Sequence, residues 1–210
     1  MLRPPRRLLF QRTARNLCEN VEGGVTQHKL CPWWVGYLIT SPFRKLWQNP
    51  ALILEPHIRA GMTVLEPGPG MGFFTLEIAK LVGSSGRVVA VDVQPQMIEG
   101  LKRRARKAGL LDRIDARVVS PASMQLADLN AIADFVFAFA VVHEMPSAAS
   151  FFSEVARAMR SGGDLLLAEP SGHVSEAEFG EQIKAAAHSG LGVFERPSID
   201  RCVAALLRKS

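Results

Sequence analysis

The chain has 210 residues, of which 48% are hydrophobic and 21% charged, and this balance excludes wholesale disorder and a fibrous repeat. Its length accommodates one domain with a full core and little more. The net charge of +5 is local, because the other 20 basic side chains match the 20 acidic ones. Five arginines precede the first acidic residue: Arg3, Arg6, Arg7, Arg12 and Arg15. A neutral domain disfavours a nucleic-acid partner.

Residues 1–28 form a basic arm that we predict to be flexible, although arginines without acids are also typical of an organelle-targeting peptide. The longest apolar run, 135–142, is too short for a membrane span of about 20 residues. Three cysteines, Cys18, Cys31 and Cys202, lack the pair spacing of zinc ligands. We therefore expect a cytoplasmic protein with no membrane span and no metal.

From residue 62 onward, short β-rich runs alternate with amphipathic segments, which is typical of βα units around a mostly parallel sheet. Seven strands are predicted, at 63–66, 87–92, 114–119, 135–140, 164–168, 193–195 and 201–207. The last two are predicted as an antiparallel pair at the sheet edge. Helices are predicted at 74–81, from Pro95 onward, at 148–160 before Gly162 and Gly163, and after a capping box of Ser175 and Glu178.

A glycine-rich turn follows the first predicted strand, with glycines at positions 68, 70 and 72. Glycine permits positive φ and lets a ligand lie directly on the backbone. A dinucleotide fingerprint would require a third glycine where Phe73 stands. Asp92 ends the next strand, where a carboxylate can accept hydrogen bonds from both hydroxyls of a ribose; the alternative is an aspartate that caps a helix or turn.

With Glu66 two residues before the first glycine, and with Met159-Arg160-Ser161-Gly162-Gly163 before the fifth strand, the chain resembles the class I S-adenosylmethionine-dependent methyltransferases, in particular their small-molecule branch. The resemblance covers about 62–168. It implies a three-layer α/β sandwich over 61–210, with a seven-stranded, mostly parallel sheet whose last strand is antiparallel. It also implies S-adenosylmethionine as cofactor and S-adenosylhomocysteine as product.

The resemblance implies cofactor contacts along the ends of the first strands: the methionine moiety on the glycine turn, the ribose on Asp92 and the adenine near Val93 and Met97. Many family members place an aspartate after the third strand, which this chain lacks, so a serine hydroxyl or backbone carbonyl would replace it. The cofactor-binding residues expected are Glu66, Gly68, Pro69, Gly70, Gly72, Asp92, Val93, Met97, Ser120, Ala122, Ser123 and Phe139.

His143 and Glu144 directly follow the fourth strand, where the family often carries its catalytic residues. An imidazole titrates near neutrality, so His143 is the candidate base, or it aligns the acceptor; alternatively, either side chain bonds backbone at the strand end. Glu169 and His173 follow the fifth strand and are predicted to line the acceptor pocket, with loop capping as the alternative.

Residues 29–60 are predicted as a helical cap over the cofactor, because the family often folds its N-terminal segment in this way. All three tryptophans and the only tyrosine lie within 15 residues there. Trp33, Trp34 and Tyr37 are predicted to enclose an apolar acceptor or to hold the sulfonium by cation–π attraction; packing of a helix on the sheet is the alternative.

The predicted function is therefore methyl transfer from S-adenosylmethionine to a small, apolar or aromatic acceptor. RNA or protein methylation is an alternative, which the neutral domain and the absence of an Asn/Asp-Pro-Pro-aromatic motif disfavour. Residues 139–142 read Phe-Ala-Val-Val at that place. A subunit that binds the cofactor without catalysis is the other alternative. The oligomeric state is left open.

Overall fold

The computed structural model describes residues 49–210. The predicted basic arm and most of the predicted cap, including Trp33, Trp34 and Tyr37, lie outside the described residues. Of the cap, the structure describes only a short helix, α1 (Pro50–Leu54), and the turns that follow it. Asn49 caps this helix by accepting a hydrogen bond from the Ala51 N–H, and Pro50 occupies the first helical position, where no amide hydrogen is needed.

The described residues form a three-layer α/β sandwich around one sheet. The elements after α1 are β1 (Thr63–Pro67), α2 (Thr75–Leu81), β2 (Arg87–Asp92), α3 (Pro95–Ala108), β3 (Ile114–Val118), β4 (Ala133–Phe139), α4 (Ala148–Ala158), β5 (Met159–Pro170), α5 (Glu176–His188), β6 (Leu191–Glu195) and β7 (Cys202–Lys209). Three short 3₁₀ turns, Leu111–Arg113, Ala127–Leu129 and Val142–Glu144, lie between them.

The strands are arranged in the order β3-β2-β1-β4-β5-β7-β6. Strands β1 to β5 pair in parallel, and β7 is antiparallel to both of its neighbours. This topology confirms the predicted seven-stranded, mostly parallel sheet with an antiparallel last strand. The final two strands pair as predicted, but β7 lies inside the sheet between β5 and β6, so β6 alone forms that edge.

The sheet is apolar on both faces because helices cover both. Alternate residues of β4 illustrate this: Phe135 and Phe137 pack with helices α1, α2 and α3, whereas Val136 and Ala138 pack with α4 and α5. Such continuous apolar runs are typical of parallel strands buried on two sides. Polar groups are thereby confined largely to the ends of the strands.

The helix ends follow the sequence signals with one exception. The capping box of Ser175 and Glu178 begins α5 as predicted. The helix α4, however, ends at Ala158 rather than at residue 160, and the two glycines predicted to terminate it lie inside β5. They occupy the irregular stretch between the Ala133↔Met159 and Phe135↔Asp164 pairs, where Gly162 adopts a φ of +72°.

The parallel register brings the carboxyl ends of β1, β2, β4 and β5 to one edge of the sheet. Glu66, Asp92, His143 and Glu169 all lie at or just beyond these ends. In open α/β sheets this edge is where ligands bind. Within residues 49–210, every helix is too short or too polar to traverse a lipid bilayer.

Replacing Phe137 by alanine tests the core. Its ring is fully buried and lies 4.8 Å from the ring of Phe74, centroid to centroid. We expect Phe137→Ala to lower the free energy of unfolding by about 3–5 kcal/mol, because a cavity replaces the ring. Denaturant titration measures this change, and Phe194→Ala is the matched control, since Phe194 is 58% exposed. Equal losses in the two variants would contradict the described core.

Candidate active site

The three glycines of the turn after β1 have positive φ values of +69°, +54° and +82° at Gly68, Gly70 and Gly72. A Cβ on Gly68 would lie 2.7 Å from Cγ2 of Val141, and one on Gly72 would lie 2.4 Å from Cδ1 of Leu101. Around Gly70, no atom of residues 49–210 lies within 4 Å of such a Cβ. Two glycines therefore permit close packing of the turn, while the middle one faces open space.

Glu66 stands directly before this turn with its side chain only 2% exposed. Within the described residues its Oε2 atom has no hydrogen-bond partner. Burial raises the pKa of Glu66 to about 8, and the nearby Thr75 hydroxyl offsets only part of this shift. A buried carboxylate oxygen without a partner, beside an open glycine, fits a ligand that carries an ammonium group.

Asp92 lies at the end of β2, across from the glycine turn. Its Oδ1 accepts a hydrogen bond of 2.8 Å from the Gln94 N–H, so it also serves as the turn-capping aspartate of the alternative interpretation. Burial raises the pKa of Asp92 to about 6. Hydrogen bonds from the backbone of Gln94, Gly70 and Val93 act in the opposite direction and lower this pKa, but they do not outweigh burial. The carboxylate thus sits between the turn and the start of α3, where a ribose would lie in this fold class.

Four further residues were predicted to contact the cofactor, two of them, Val93 and Met97, near the adenine. Val93 is half-buried and Met97 buried at the start of α3, whereas Phe139 packs against Phe74, 4.8 Å between ring centroids. Pro69 is buried in the turn.

In the loop after β3, the Ser123 hydroxyl donates to Glu154 and accepts from the Gln125 N–H, at 3.0 and 3.1 Å. The Ser120 hydroxyl accepts from the Ala122 N–H at 3.1 Å. The Ser123 hydroxyl thus uses its donor and one of its two acceptor lone pairs in these contacts. Both serine hydroxyls and the backbone carbonyls therefore remain candidates for an adenine contact.

His143 lies in the 3₁₀ turn Val142–Glu144 that follows β4, and its Nδ1 is 2.5 Å from Oε2 of Glu169. Burial lowers the pKa of His143. The hydrogen bond and charge of Glu169, together with the charge of Glu144, outweigh this effect, so the net shift is upward from the ordinary value. The imidazole is 23% exposed, which leaves it accessible from the sheet edge.

Glu169 was predicted to line the acceptor pocket, with loop capping as the alternative. Its side chain is completely buried and caps the turn after β4, which fits the alternative. Its Oε1 accepts hydrogen bonds from the N–H groups of Val142 and His143, at 2.7 and 3.4 Å, and its Oε2 contacts the His143 ring. Glu169 therefore binds both the backbone and the imidazole ring of His143. His173, in contrast, is exposed, with its ring 5.7 Å from that of His143 between centroids.

The contact between His143 and Glu169 was missed by sequence reasoning. Both residues were placed at the same sheet edge, but the spacing along the chain gives no information on which side chains meet. The chain reaches this contact through Ala140, which adopts a φ of +55°, a value uncommon for a residue other than glycine. No signal in the sequence indicates this turn. Within residues 49–210, no group of three or more His, Cys, Asp or Glu side chains is arranged to hold a metal ion.

A mostly parallel sheet with a glycine turn after β1 and a carboxylate after β2 defines a nucleoside-binding α/β protein. Comparison with known proteins gives the family. Residues 58–199 match the family model described as a methyltransferase domain, which is more than half of the chain. The chain belongs to this family, the class I S-adenosylmethionine-dependent methyltransferases, whose cofactor is S-adenosylmethionine.

Among similar proteins, ubiquinone/menaquinone biosynthesis C-methyltransferase UbiE of Hydrogenovibrio crunogenus is 28% identical over 60% of this chain and 48% of its own length. The ribosomal protein L11 methyltransferase of Pelotomaculum thermopropionicum is 31% identical over 74% of this chain and 46% of its own length. The chain thus spans about half the length of these relatives. A solved SAM-dependent methyltransferase from Aquifex aeolicus shares the fold with a TM-score of 0.77 at 23% identity, over 86% of this chain and 100% of that one.

Substitution of Gly70 by alanine tests whether the open space beside the turn holds the cofactor. The added methyl group meets no atom of the described part of the chain within 4 Å, so Gly70→Ala should cost the backbone strain, about 1–2 kcal/mol. Titration calorimetry should nevertheless show S-adenosylmethionine affinity reduced by more than about tenfold, or about 1.4 kcal/mol. A variant that binds the cofactor as tightly as the natural protein would place the cofactor elsewhere.

The raised pKa of Glu66 predicts a pH-dependent stability of the cofactor-free protein. The folded state holds a proton that the unfolded state releases above its ordinary pKa, so this residue destabilises the fold as pH rises from about 4.5 to about 8. Glu66→Gln removes this dependence. Its stability relative to the natural protein should rise by up to about 1.4 kcal/mol for each pH unit in that range.

Thermal unfolding at a series of pH values measures the difference between the two proteins. Glu181→Gln, which removes an exposed carboxylate paired with Lys184, should show no such trend. A constant difference between the Glu66→Gln variant and the natural protein would mean that Glu66 is ionised in the folded state.

Proposed function

We propose that the chain transfers the methyl group of S-adenosylmethionine to a small, apolar or aromatic molecule that binds beside His143. The observation that carries the proposal is the position of the His143 imidazole. Its Nδ1 contacts Glu169, and His143 lies two residues after Val141, which packs against the glycine turn. A Cβ on Gly68 would lie 2.7 Å from Val141. A group able to orient an acceptor or to take its proton is thereby built next to the proposed cofactor site.

The residues at the ends of β1 and β2 would hold the cofactor. Glu66 offers its unpaired oxygen to the ammonium of the methionine moiety, and the open space beside Gly70 accommodates that part of the molecule. Asp92 would accept hydrogen bonds from the ribose hydroxyls, and Val93 and Met97 would contact the adenine. When bound, S-adenosylmethionine supplies a methyl group on a positively charged sulfur, and the sulfur keeps the electron pair of the carbon–sulfur bond when the methyl group is transferred.

The remaining task of the protein is to align the acceptor and exclude water. His143 and Glu144 are proposed for the acceptor side, with His143 as the group that contacts the reacting atom. His173 would form part of the acceptor pocket, since its exposed ring lies near that of His143. The predicted aromatic cap, with Trp33, Trp34 and Tyr37, would enclose the apolar acceptor.

Several relatives support a small acceptor. One is named for quinone biosynthesis, and a solved structure with the same fold, at a TM-score of 0.63, is a geranyl diphosphate C-methyltransferase that holds S-adenosylhomocysteine and its diphosphate ligand. Other relatives are named as methyltransferases of ribosomal protein L11 and of protein L-isoaspartate. Protein methylation is therefore the alternative that the experiment has to separate, together with RNA methylation and binding without catalysis.

Calorimetric titration with S-adenosylmethionine and S-adenosylhomocysteine tests the cofactor part of the proposal. We expect micromolar binding, equivalent to about −8 kcal/mol. Asp92→Ala should weaken it by more than about tenfold, because the ribose hydroxyls lose their acceptor, while Asp112→Ala, which removes an exposed carboxylate, should leave it unchanged. Absence of binding by the folded natural protein would overturn the proposal.

The acceptor class is tested with S-adenosylmethionine labelled in its methyl group. The protein is incubated with small-molecule, protein and RNA fractions of a cell extract, and the fraction that takes up the label is determined. Label in the small-molecule fraction supports the proposal. Label in protein or RNA alone assigns the acceptor to that class instead, and binding without any transfer assigns the chain to the non-catalytic alternative.

A further inference from the structure

We propose that Glu169 is a positioning residue that fixes the His143 imidazole with its hydrogen on Nδ1 and its lone pair on Nε2, and that the acceptor is a molecule whose reacting atom carries an ionisable hydrogen. The inference rests on the proposed function. It adds to that function the tautomer of His143, a positioning role for Glu169 and the requirement that the acceptor loses a proton.

The hydrogen bonds around Glu169 determine the tautomer. The carboxylate is completely buried, and an ionised carboxylate only accepts hydrogen bonds. Its Oε1 faces the backbone N–H groups of Val142 and His143, and its Oε2 faces Nδ1 of His143 at 2.5 Å. The hydrogen between Oε2 and Nδ1 belongs to the imidazole, so in the neutral ring Nε2 is the nitrogen that carries a lone pair.

The backbone is shaped to make this contact. Ala140 adopts a φ of +55°, and the 3₁₀ turn Val142–Glu144 follows at once, so that two consecutive amides converge on one carboxylate oxygen. A positive φ is unfavourable for alanine because of its Cβ atom. The Ala140 N–H still donates to the Ala168 carbonyl at 2.8 Å, which ties this strained turn to β5, the strand that carries Glu169.

The charges around His143 favour a proton acceptor. Burial by itself lowers the pKa of the imidazole, but the hydrogen bond and charge of Glu169 and the charge of Glu144 raise it overall. The imidazole of His173 also lies close to the ring, 5.7 Å away between centroids. An imidazole backed by a buried carboxylate is a stronger base than a free one, and the positive charge it gains is balanced by Glu169.

Such a base serves an acceptor that has to lose a proton. In the transfer, the acceptor's hydrogen passes as a proton to Nε2 of His143, and the electron pair of that bond stays on the reacting atom. That atom bonds to the methyl carbon, and the electron pair of the carbon–sulfur bond returns to sulfur, which becomes the neutral thioether of S-adenosylhomocysteine. Hydroxyl, thiol and activated C–H groups meet this requirement, whereas a tertiary amine does not need a base.

Glu169→Gln gives a sharp test because the structure determines how the amide would lie. The N–H groups of Val142 and His143 require an oxygen at the Oε1 position, so the amide NH₂ would face Nδ1 of His143. The NH₂ group donates, and the neutral ring must then carry its hydrogen on Nε2. The variant should therefore invert the tautomer and lower the pKa of His143 below that of the natural protein.

Long-range ¹H–¹⁵N spectra of labelled protein over a pH titration report both the tautomer and the pKa. The signals of His143 are assigned by their loss in His143→Gln, and Glu181→Gln, at an exposed site, should leave them unchanged. The expected result is the Nδ1–H form in the natural protein and the Nε2–H form in Glu169→Gln. An Nε2–H tautomer in the natural protein would overturn the positioning role without any need for the variant to fold.

Cofactor affinity and rate separate this inference from the proposed function. Glu169→Gln should bind S-adenosylmethionine as the natural protein does, yet transfer methyl groups to the labelled fraction about 10²- to 10⁴-fold more slowly, the range that acid–base catalysis contributes. The rate of the natural protein should rise with pH up to the pKa of His143. A rate that does not depend on pH would overturn the acceptor assignment alone. Failure of the natural protein to bind the cofactor would overturn the proposed function and the acceptor assignment with it, but not the tautomer of His143.

Discussion

The parallel pairing of β1, β2, β4 and β5 is the constraint on which the candidate site depends. Helices cover both faces of these strands, so their side chains are apolar almost throughout, and polar groups are accommodated mainly where a strand ends. Parallel register then places those ends at one edge. Residues that are distant along the chain, such as Glu66 and Glu169, arrive at the same edge because of how the strands pair.

Two buried carboxylates at this edge show different solutions to the same energetic problem. Removing a carboxylate from water is costly unless hydrogen bonds or a cation compensate it. Glu169 is compensated within the protein, by two amides and an imidazole. Glu66 has one oxygen without a partner among the described residues, and its pKa is raised to about 8. The first carboxylate has its hydrogen-bond partners within the described residues, whereas the second has an oxygen to which the proposed function assigns the cofactor.

The fold could be predicted from the sequence to a large extent, because its signals are local. Alternating β-rich and amphipathic segments, the glycine turn and the capping box of Ser175 and Glu178 each act within a few residues. The end of α4 was predicted two residues too late, because Gly162 and Gly163 were interpreted as a helix stop. Glycine serves equally at an irregularity of a strand, and the choice between the two depends on pairing with β4, which is not a local property.

The candidate site was less predictable, because contacts between its side chains depend on strand pairing, which is not a local property of the sequence. Asp92 and the glycine turn lie where expected, since both are defined by the strand that precedes them, and their role in binding the cofactor stays a prediction. The contact between His143 and Glu169 joins two strands and is reached through the left-handed backbone of Ala140, which alanine rarely adopts. The position of Glu169 after the fifth strand predicted only that it reaches this edge, where it could line the pocket or cap a loop.

The two halves of the site differ in what determines them, and this difference bears on the acceptor. The cofactor half depends on backbone conformation, namely the positive φ values of the glycine turn and its close approach to Val141 and Leu101. The acceptor half depends on side chains in the turns after β4 and β5, which can change without altering the sheet. Relatives named for quinone biosynthesis and for protein methylation are consistent with one scaffold that carries different acceptor halves. In the proposed function, the choice of acceptor therefore depends on residues such as His143 and His173 rather than on the motif that defines the family.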